Sequence, residues 1–292
     1  MTRQTYKADA LLLLAAFIWG TTFVAQRTGM DYVEPFTFNA ARFLLGALIL
    51  FPIALKYPLQ NPLRQTCQTG VILGSILFIG AALQQIGLVY TTAGKAGFIT
   101  GLYVIIVPFM GLFLSLRIGR NAWVGALLAT VGLYFLSIRG DFTFSYGDLL
   151  VFIGAFVWAL HILFVGRVAP HHNVFHLATL QFGICACFSF IAALFTETTS
   201  LIHLQGAASS IVYSGIFSAA IAFTLQIHAQ KNTPETHAAI IFSLEAVFAA
   251  LAGWAVLNET LTSREGFGCG LMLAGMLLAQ FDTKKPEQMA QA

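Results

Sequence analysis

Residues 8–23 read ADALLLLAAFIWGTTF, and residues 147–162 read GDLLVFIGAFVWALHI. Laid over one another with an offset of 139, Asp9 meets Asp148, Phe17 meets Phe156 and Trp19 meets Trp158. The same offset pairs Phe36 with Phe175 and Phe43 with Phe182 further along. An offset of 142 pairs Leu83-Gln84 with Leu225-Gln226, Gly111 with Gly253 and Tyr103 with Glu245. An offset of 143 pairs Gly125 with Gly268 and Gly132 with Gly275. The offset drifts by only a few residues over half the chain, and the matched tryptophans, glutamines and glycines are scarcer than the leucines around them. The pattern predicts a duplication.

The composition says which solvent surrounds it. The chain has 292 residues, 58% of them apolar and 9% charged, with a mean hydropathy of +0.80. Soluble domains carry roughly 25% charged residues. So few charges cannot clothe a water-facing surface, so hydrocarbon must face most of the chain. A net charge of +3, with no basic cluster, excludes a nucleic-acid partner. Cys67, Cys185, Cys187 and Cys269 show neither metal nor disulfide spacing and read as small packing residues.

Crossing a bilayer takes about 20 apolar residues. Ten runs qualify: 8–26, 35–55, 69–90, 94–116, 121–138, 147–166, 174–195, 208–230, 235–257 and 264–281. The first resembles a signal peptide, but it runs through Trp19 without a small-x-small cleavage site and reads as a retained span. Counting sides alternately, the N-terminal side holds Arg3, Lys7, Lys56, Arg64, Arg117, Arg120, Arg167, Lys231, Lys284 and Lys285. The other side holds Arg27, Lys95, Arg139 and Arg264. Ten against four predicts cytoplasmic termini at both ends in a multi-pass protein of the cell membrane.

The expected fold is therefore all-α and integral to the membrane: ten spans in two repeats, 8–138 and 147–281. Because each repeat has five spans, the second enters from the opposite face. Such inverted repeats place a substrate site near the midplane between the halves.

The sequence also resembles the drug/metabolite transporter superfamily, in the branch built from two EamA-type domains. The likeness covers about residues 8–281. It rests on Trp19-Gly20-Thr21-Thr22-Phe23, Ala41-Arg42-Phe43, the run from Thr91 to Tyr103, Pro108, Ser243-Leu244-Glu245-Ala246-Val247-Phe248 and Leu257-Asn258-Glu259-Thr260-Leu261. Two positions depart from the family pattern: Ala246 stands where proline is common after the Leu-Glu pair, and Thr260 where arginine is common. The resemblance implies a solute carrier, commonly an exporter of amino acids, metabolites or drugs, with the fifth and tenth spans peripheral.

Charged and polar residues inside spans mark the expected site, since each is costly in hydrocarbon and must face protein or water. Glu245 lies about ten residues, or roughly 15 Å, into its span. It suits a substrate ammonium or a carried proton, with interhelical packing as the alternative. Tyr103 sits at matching depth. Arg42, whose equivalent is Gln181, suits a substrate carboxylate, or else helix-end carbonyls or Glu34. Asn39 shares its helix face. Trp19 and Trp158 lie mid-span, away from the interfaces where tryptophan anchors, and read as cavity walls or aromatic packing. His161, three residues after Trp158, suits a proton relay or a simple hydrogen bond. Gln84, Gln85 and Gln226 either line the cavity or join helices. Gly125, Gly132, Gly268 and Gly275 read as close helix packing. Pro108 predicts a kink in the fourth span, and His171, His172 and His176 a solvated loop.

The expected partners are a small, amphipathic substrate, the lipid bilayer and protons as a coupling ion, in a monomer or homodimer, with no cofactor. There is no Walker loop, no dinucleotide fingerprint and no Ser-His-Asp set. A lipid-modifying enzyme would need a cluster of carboxylates or basic residues at the membrane surface, which the chain lacks. A sensor would not need two related halves.

Overall fold

The structure is a computed structural model that describes residues 3–116, 118–137, 145–198, 201–257, 262–279 and 281. Regular structure among them is helical throughout. The first half comprises α1 (Arg3–Gly29), α2 (Pro35–Ala54), α3 (Leu63–Tyr90), α4 (Ala93–Gly101), α5 (Tyr103–Phe113) and α6 (Arg120–Ser137). In the second half α7 (Tyr146–Val168) runs into a 3-10 turn, Ala169–His171, before α8 (Val174–Thr196). There follow α9 (Leu201–Gly206), α10 (Ala208–Tyr213), a π-helical stretch Ser214–Phe223 and α11 (Thr224–Ala229). The last helices are α12 (Glu235–Phe242), α13 (Glu245–Leu257) and α14 (Ser263–Ala279).

Among the described residues, eight helical segments are long and apolar enough to cross a membrane. They match eight of the ten expected runs. The other two expected runs form α6 and α14, of 18 and 17 residues. The Asn258–Leu261 part of the family-like motif lies outside the described residues, as do Arg117, Arg139, Lys284 and Lys285.

Local chemistry sets the helix starts. Pro35 opens α2 with its fixed φ. Thr92 caps α4 by accepting from Lys95 N, and Asn173 caps α8 by accepting from the amides of Phe175 and His176. Ser145 and Asp148 form a reciprocal capping box on α7.

Two helices are broken at equivalent places. α4 passes into α5 through Leu102, and α12 into α13 through Ser243-Leu244. At each break the turn tightens to three-residue hydrogen bonds, Leu102 N to Ile99 O at 3.2 Å and Leu244 N to Ile241 O at 3.1 Å. Gly101 weakens the first helix there, and Ser243 Oγ bends the second by bonding back to Ile240 O at 2.8 Å. The interruption in the fourth span is thus at Leu102, whereas Pro108 lies inside α5. The break beside Glu245 needs no proline.

Positions equated by the sequence offset meet one another. Phe43 stacks on Phe182 at 5.9 Å, and Tyr103 bonds Glu245. α6 and α14 run antiparallel, with Gly125 against Gly275 and Gly132 against Gly268. A Cβ on any of the four would come within 2.6 Å of the facing carbonyl oxygen. Phe43–Phe182 and Tyr103–Glu245 are contacts between equivalent residues, while the glycines meet crosswise, Gly125 against the equivalent of Gly132 and Gly132 against the equivalent of Gly125. Phe43, Phe182, Leu73, Leu77 and Phe223 form one buried cluster, while Phe23, Leu133, Met272 and Leu244 form another.

Candidate functional site

Between these helices lies a cavity that is partly open, with about 520 Å³ of empty space when the solvent at its mouth is counted. α1 supplies Trp19, Phe23 and Gln26; α2 supplies Arg42; α3 supplies Gln84; α4 and α5 supply Thr100 and Tyr103. The second half adds Trp158, His161 and Ile162 from α7, Ser218 and Phe223 from the π-helical stretch, and Gln226, Phe242 and Glu245. The two helix breaks bring Tyr103 and Glu245 to the cavity wall, where Tyr103 Oη donates to Glu245 Oε1 at 2.9 Å.

Arg42 is 3% exposed. Its Nε donates to Asn39 Oδ1 at 2.9 Å, and Asn39 Nδ2 donates in turn to Ala81 O at 3.1 Å. The guanidinium also lies over the Phe43 ring, 4.6 Å from its centroid. Of the alternatives for Arg42, the pairing with Glu34 is not made; Glu34 instead accepts from Thr198 N. Glu245 is 4% exposed. Among the described residues no carboxylate pairs with Arg42 and no cation pairs with Glu245. A cationic and an acidic group so deep in an apolar bundle, each lacking a counter-ion among the described residues, are costly when charged and point to water, a proton or a charged ligand.

Of the eleven residues singled out in the sequence, eight line this cavity: Trp19, Arg42, Gln84, Tyr103, Trp158, His161, Gln226 and Glu245; Gln85 instead joins α3 to α1 through Gln26 O. Asn39 and Gln181 stand behind it. Asn39 holds Arg42, and Gln181 Oε1 lies 3.1 Å from His161 Nε2. Gln84 Nε2 donates to Gln26 Oε1 at 3.1 Å, so the glutamine both lines the cavity and joins α3 to α1. Gln226 does likewise through Gln230, whose Nε2 donates to Ile162 O.

Sequence reasoning missed Gln26, Thr100, Ser218, Phe223 and Phe242. Phe223 is the most connected of these. Its ring lies 4.9 Å from Trp19, 5.8 Å from His161 and 5.9 Å from Phe182. It ends the π-helical stretch, a wider coil of small residues that lets α2 approach: a Cβ on Gly46 would lie 2.8 Å from Ala219 Cβ. No pattern in the sequence announces a π-helix. Of the three histidines of the predicted loop, His171 is exposed as expected, but His172 is buried, with Nδ1 3.0 Å from Val168 O, and His176 lies in α8.

The EamA-like transporter family model matches the chain twice, over residues 6–138 and 145–281. An uncharacterized transporter of Archaeoglobus fulgidus is 34% identical over 272 residues, covering 93% of this chain and 85% of that protein. The uncharacterized transporter YoaV of Bacillus subtilis is 24% identical, covering 92% of this chain and 95% of its own. The uncharacterized inner membrane transporter YedA of Escherichia coli is 23% identical, covering 94% and 91%. A crystal structure with 18% sequence identity matches over 98% of this chain and 99% of its own with a TM-score of 0.79, which shows a shared fold.

Proposed function

The chain belongs to the EamA-like transporter family, and from that premise we propose that it is a secondary transporter. It moves a small amphipathic molecule, a metabolite, amino acid or drug-like compound, out across the cytoplasmic membrane by alternating access. Two five-span repeats, 8–138 and 147–281, thread the bilayer in opposite senses, with both termini cytoplasmic. In this reading α6 and α14 are the fifth and tenth spans, since 17–18 residues still reach about 26 Å. The contacts between equivalent residues support the inverted symmetry. Such symmetry supplies two near-equivalent packings, one open to each face.

The observation that carries this reading is that the buried guanidinium of Arg42 and the buried carboxyl of Glu245 share one cavity without counter-ions among the described residues. Arg42 binds a carboxylate or another anionic group of the substrate, held in place by Asn39. Glu245, steadied by Tyr103, takes an ammonium or a proton. Trp19, Trp158 and Phe223 surround the apolar part. His161, oriented by Gln181, is placed to exchange protons with the lumen.

Proteoliposome uptake with a panel of amino acids and small metabolites, with and without a pH gradient, tests the reading. Saturable uptake that is accelerated by substrate on the far side is expected, and it should fall about 10- to 100-fold in Glu245→Gln. Binding without counterflow would mean a sensor instead.

A further inference from the structure

Beyond the cavity, two more interhelical pairs stand at equivalent positions. Lys95 Nζ donates to Asp148 Oδ2 at 2.8 Å, tying α4 to α7. His237 Nε2 lies 2.9 Å from Asp9 Oδ1, tying α12 to α1. The offset that matches the halves equates Asp9 with Asp148 and Lys95 with His237. Each aspartate lies ten residues before a cavity tryptophan, Trp19 or Trp158. Each cation lies eight residues before a residue at a helix break, Tyr103 or Glu245. Ten residues of helix span roughly 15 Å, so the pairs bracket the cavity from opposite ends.

The two differ in chemistry and in support. Asp148 is fully buried and fully partnered: Oδ1 accepts from Thr91 Oγ1 at 2.6 Å, and Oδ2 accepts from Ser145 N at 2.8 Å besides Lys95. Asp9 and His237 share a single bond, and Asp9 Oδ2 and His237 Nδ1 are buried without a partner among the described residues. Lysine keeps its charge across the physiological range, whereas histidine is the side chain that gains and loses its charge there.

We propose that Asp9 and His237 form a second functional site whose ligand is the proton: a latch closing the end of the cavity where α1 and α12 begin. This rests on the transporter reading above. With the imidazolium formed, a buried ion pair joins α1 to α12 and that end stays shut. As pH rises the imidazole loses its charge, the pair keeps only a neutral donor facing a carboxylate, and the end opens more readily. The Lys95–Asp148 pair at the other end has no such dependence. The neighbouring elements offer little competing charge. On α1 there is Lys7, on α12 Glu235, on α7 Arg167, on α6 Arg120, on α11 His228 and at the start of α3 Arg64; the lysine, the arginines and His228 are exposed. α5 and α13 carry only Tyr103 and Glu245, and the ionisable residues of α14, Arg264, Glu265 and Cys269, sit in its first turns, at the far end. None of these bonds Asp9 or His237.

The test needs no known substrate. In the full chain, with Cys67, Cys185, Cys187 and Cys269 replaced by serine or alanine, Ser218→Cys puts one thiol in the cavity. A membrane-impermeant maleimide then labels it in right-side-out and inside-out vesicles at about pH 5.5 and about pH 8. The ratio of rates from the two faces cancels the thiol's own pH dependence. The ratio favouring the face where α1 begins should rise about fivefold or more with pH. His237→Lys, which copies Lys95, should abolish the rise, and Asp9→Asn should hold the ratio high at both values. His237→Gln serves as a second variant, with a high, flat ratio. A ratio that ignores pH in the parent, or a rise that persists in His237→Lys or His237→Gln, overturns the latch while leaving the cavity intact. A thiol unlabelled from both faces overturns the cavity reading and the latch with it.

Discussion

Equated positions in the two halves fall into two kinds. Some match in kind: Trp19 and Trp158, Phe43 and Phe182, Gln84 and Gln226, and the glycines of α6 and α14. Others diverge: Arg42 faces Gln181 in the offset, Tyr103 faces Glu245, and Lys95 faces His237. The matched positions build the frame. Gly132 and Gly268 let two helices touch backbone to backbone, and Phe43 stacks on Phe182. The divergent positions hold Arg42 and Glu245 in the cavity, and the cations Lys95 and His237 that meet the matched aspartates. A symmetric scaffold can alternate between two states, but a substrate that is itself asymmetric needs unlike groups on the two sides of its pocket. The comparison teaches that divergence from the internal repeat marks the unlike groups of the site, and agreement with it marks what both halves share: the packing, the aromatic and glutamine walls of the cavity, and the aspartates Asp9 and Asp148.

Making the divergent positions neutral or alike should therefore cost transport with little change in stability. Glu245→Gln is expected to have the largest effect, lowering uptake about 10- to 100-fold, the worth of one charge-assisted contact. The bond to Tyr103 remains possible, so thermal stability in detergent should hold. Arg42→Gln, which copies Gln181, is expected to raise the half-saturating substrate concentration about tenfold for anionic substrates, in titrated uptake. A substrate lacking an anionic group would be unaffected.

Changes at matched positions should do the reverse. Gly132→Leu drives a side chain into Gly268 O and Met272, where even a Cβ would lie 2.6–2.7 Å away. It is expected to cost about 1–3 kcal/mol of stability, seen as a lower melting temperature by fluorescence-detected size exclusion. Uptake per folded molecule should stay near wild type. The smallest effect belongs to Gly183→Ala. Nothing lies within 4 Å of a Cβ there, so stability should move by about 0.5–1 kcal/mol at most, in the stabilising direction.

Much of the fold was legible because spans are long and apolar, and because charges and turn formers punctuate them. Eight of the ten expected runs became helical segments long and apolar enough to cross a membrane, with α1 starting at Arg3 instead of residue 8 and α3 at Leu63 instead of residue 69. The site was legible where a polar residue interrupts an apolar run, as at Arg42, Gln84 and Glu245. Phe223 and Phe242 were hidden for a physical reason. In a membrane helix both the lipid face and the core face are apolar, so the sequence carries no amphipathic signal of rotation, and an aromatic gives no sign of which way it points. The breaks at Leu102 and Leu244 were hidden because a glycine and a back-bonding serine cause them, not proline. The latch pair needed both ends of two helices in view, since Asp9 and His237 are 228 residues apart.

The central claim is that the two halves cross the membrane in opposite senses, so that equivalent residues at their starts emerge on opposite faces. Lys7 and Tyr146 are such equivalents, one before Asp9 and Asp148 by two residues, and both are exposed. Lys7→Cys and Tyr146→Cys, placed singly in the cysteine-free chain, are labelled with an impermeant maleimide on intact cells and after permeabilisation. The account predicts that one is labelled on intact cells, Tyr146→Cys, and the other only after permeabilisation. Labelling of both from the same face would contradict it.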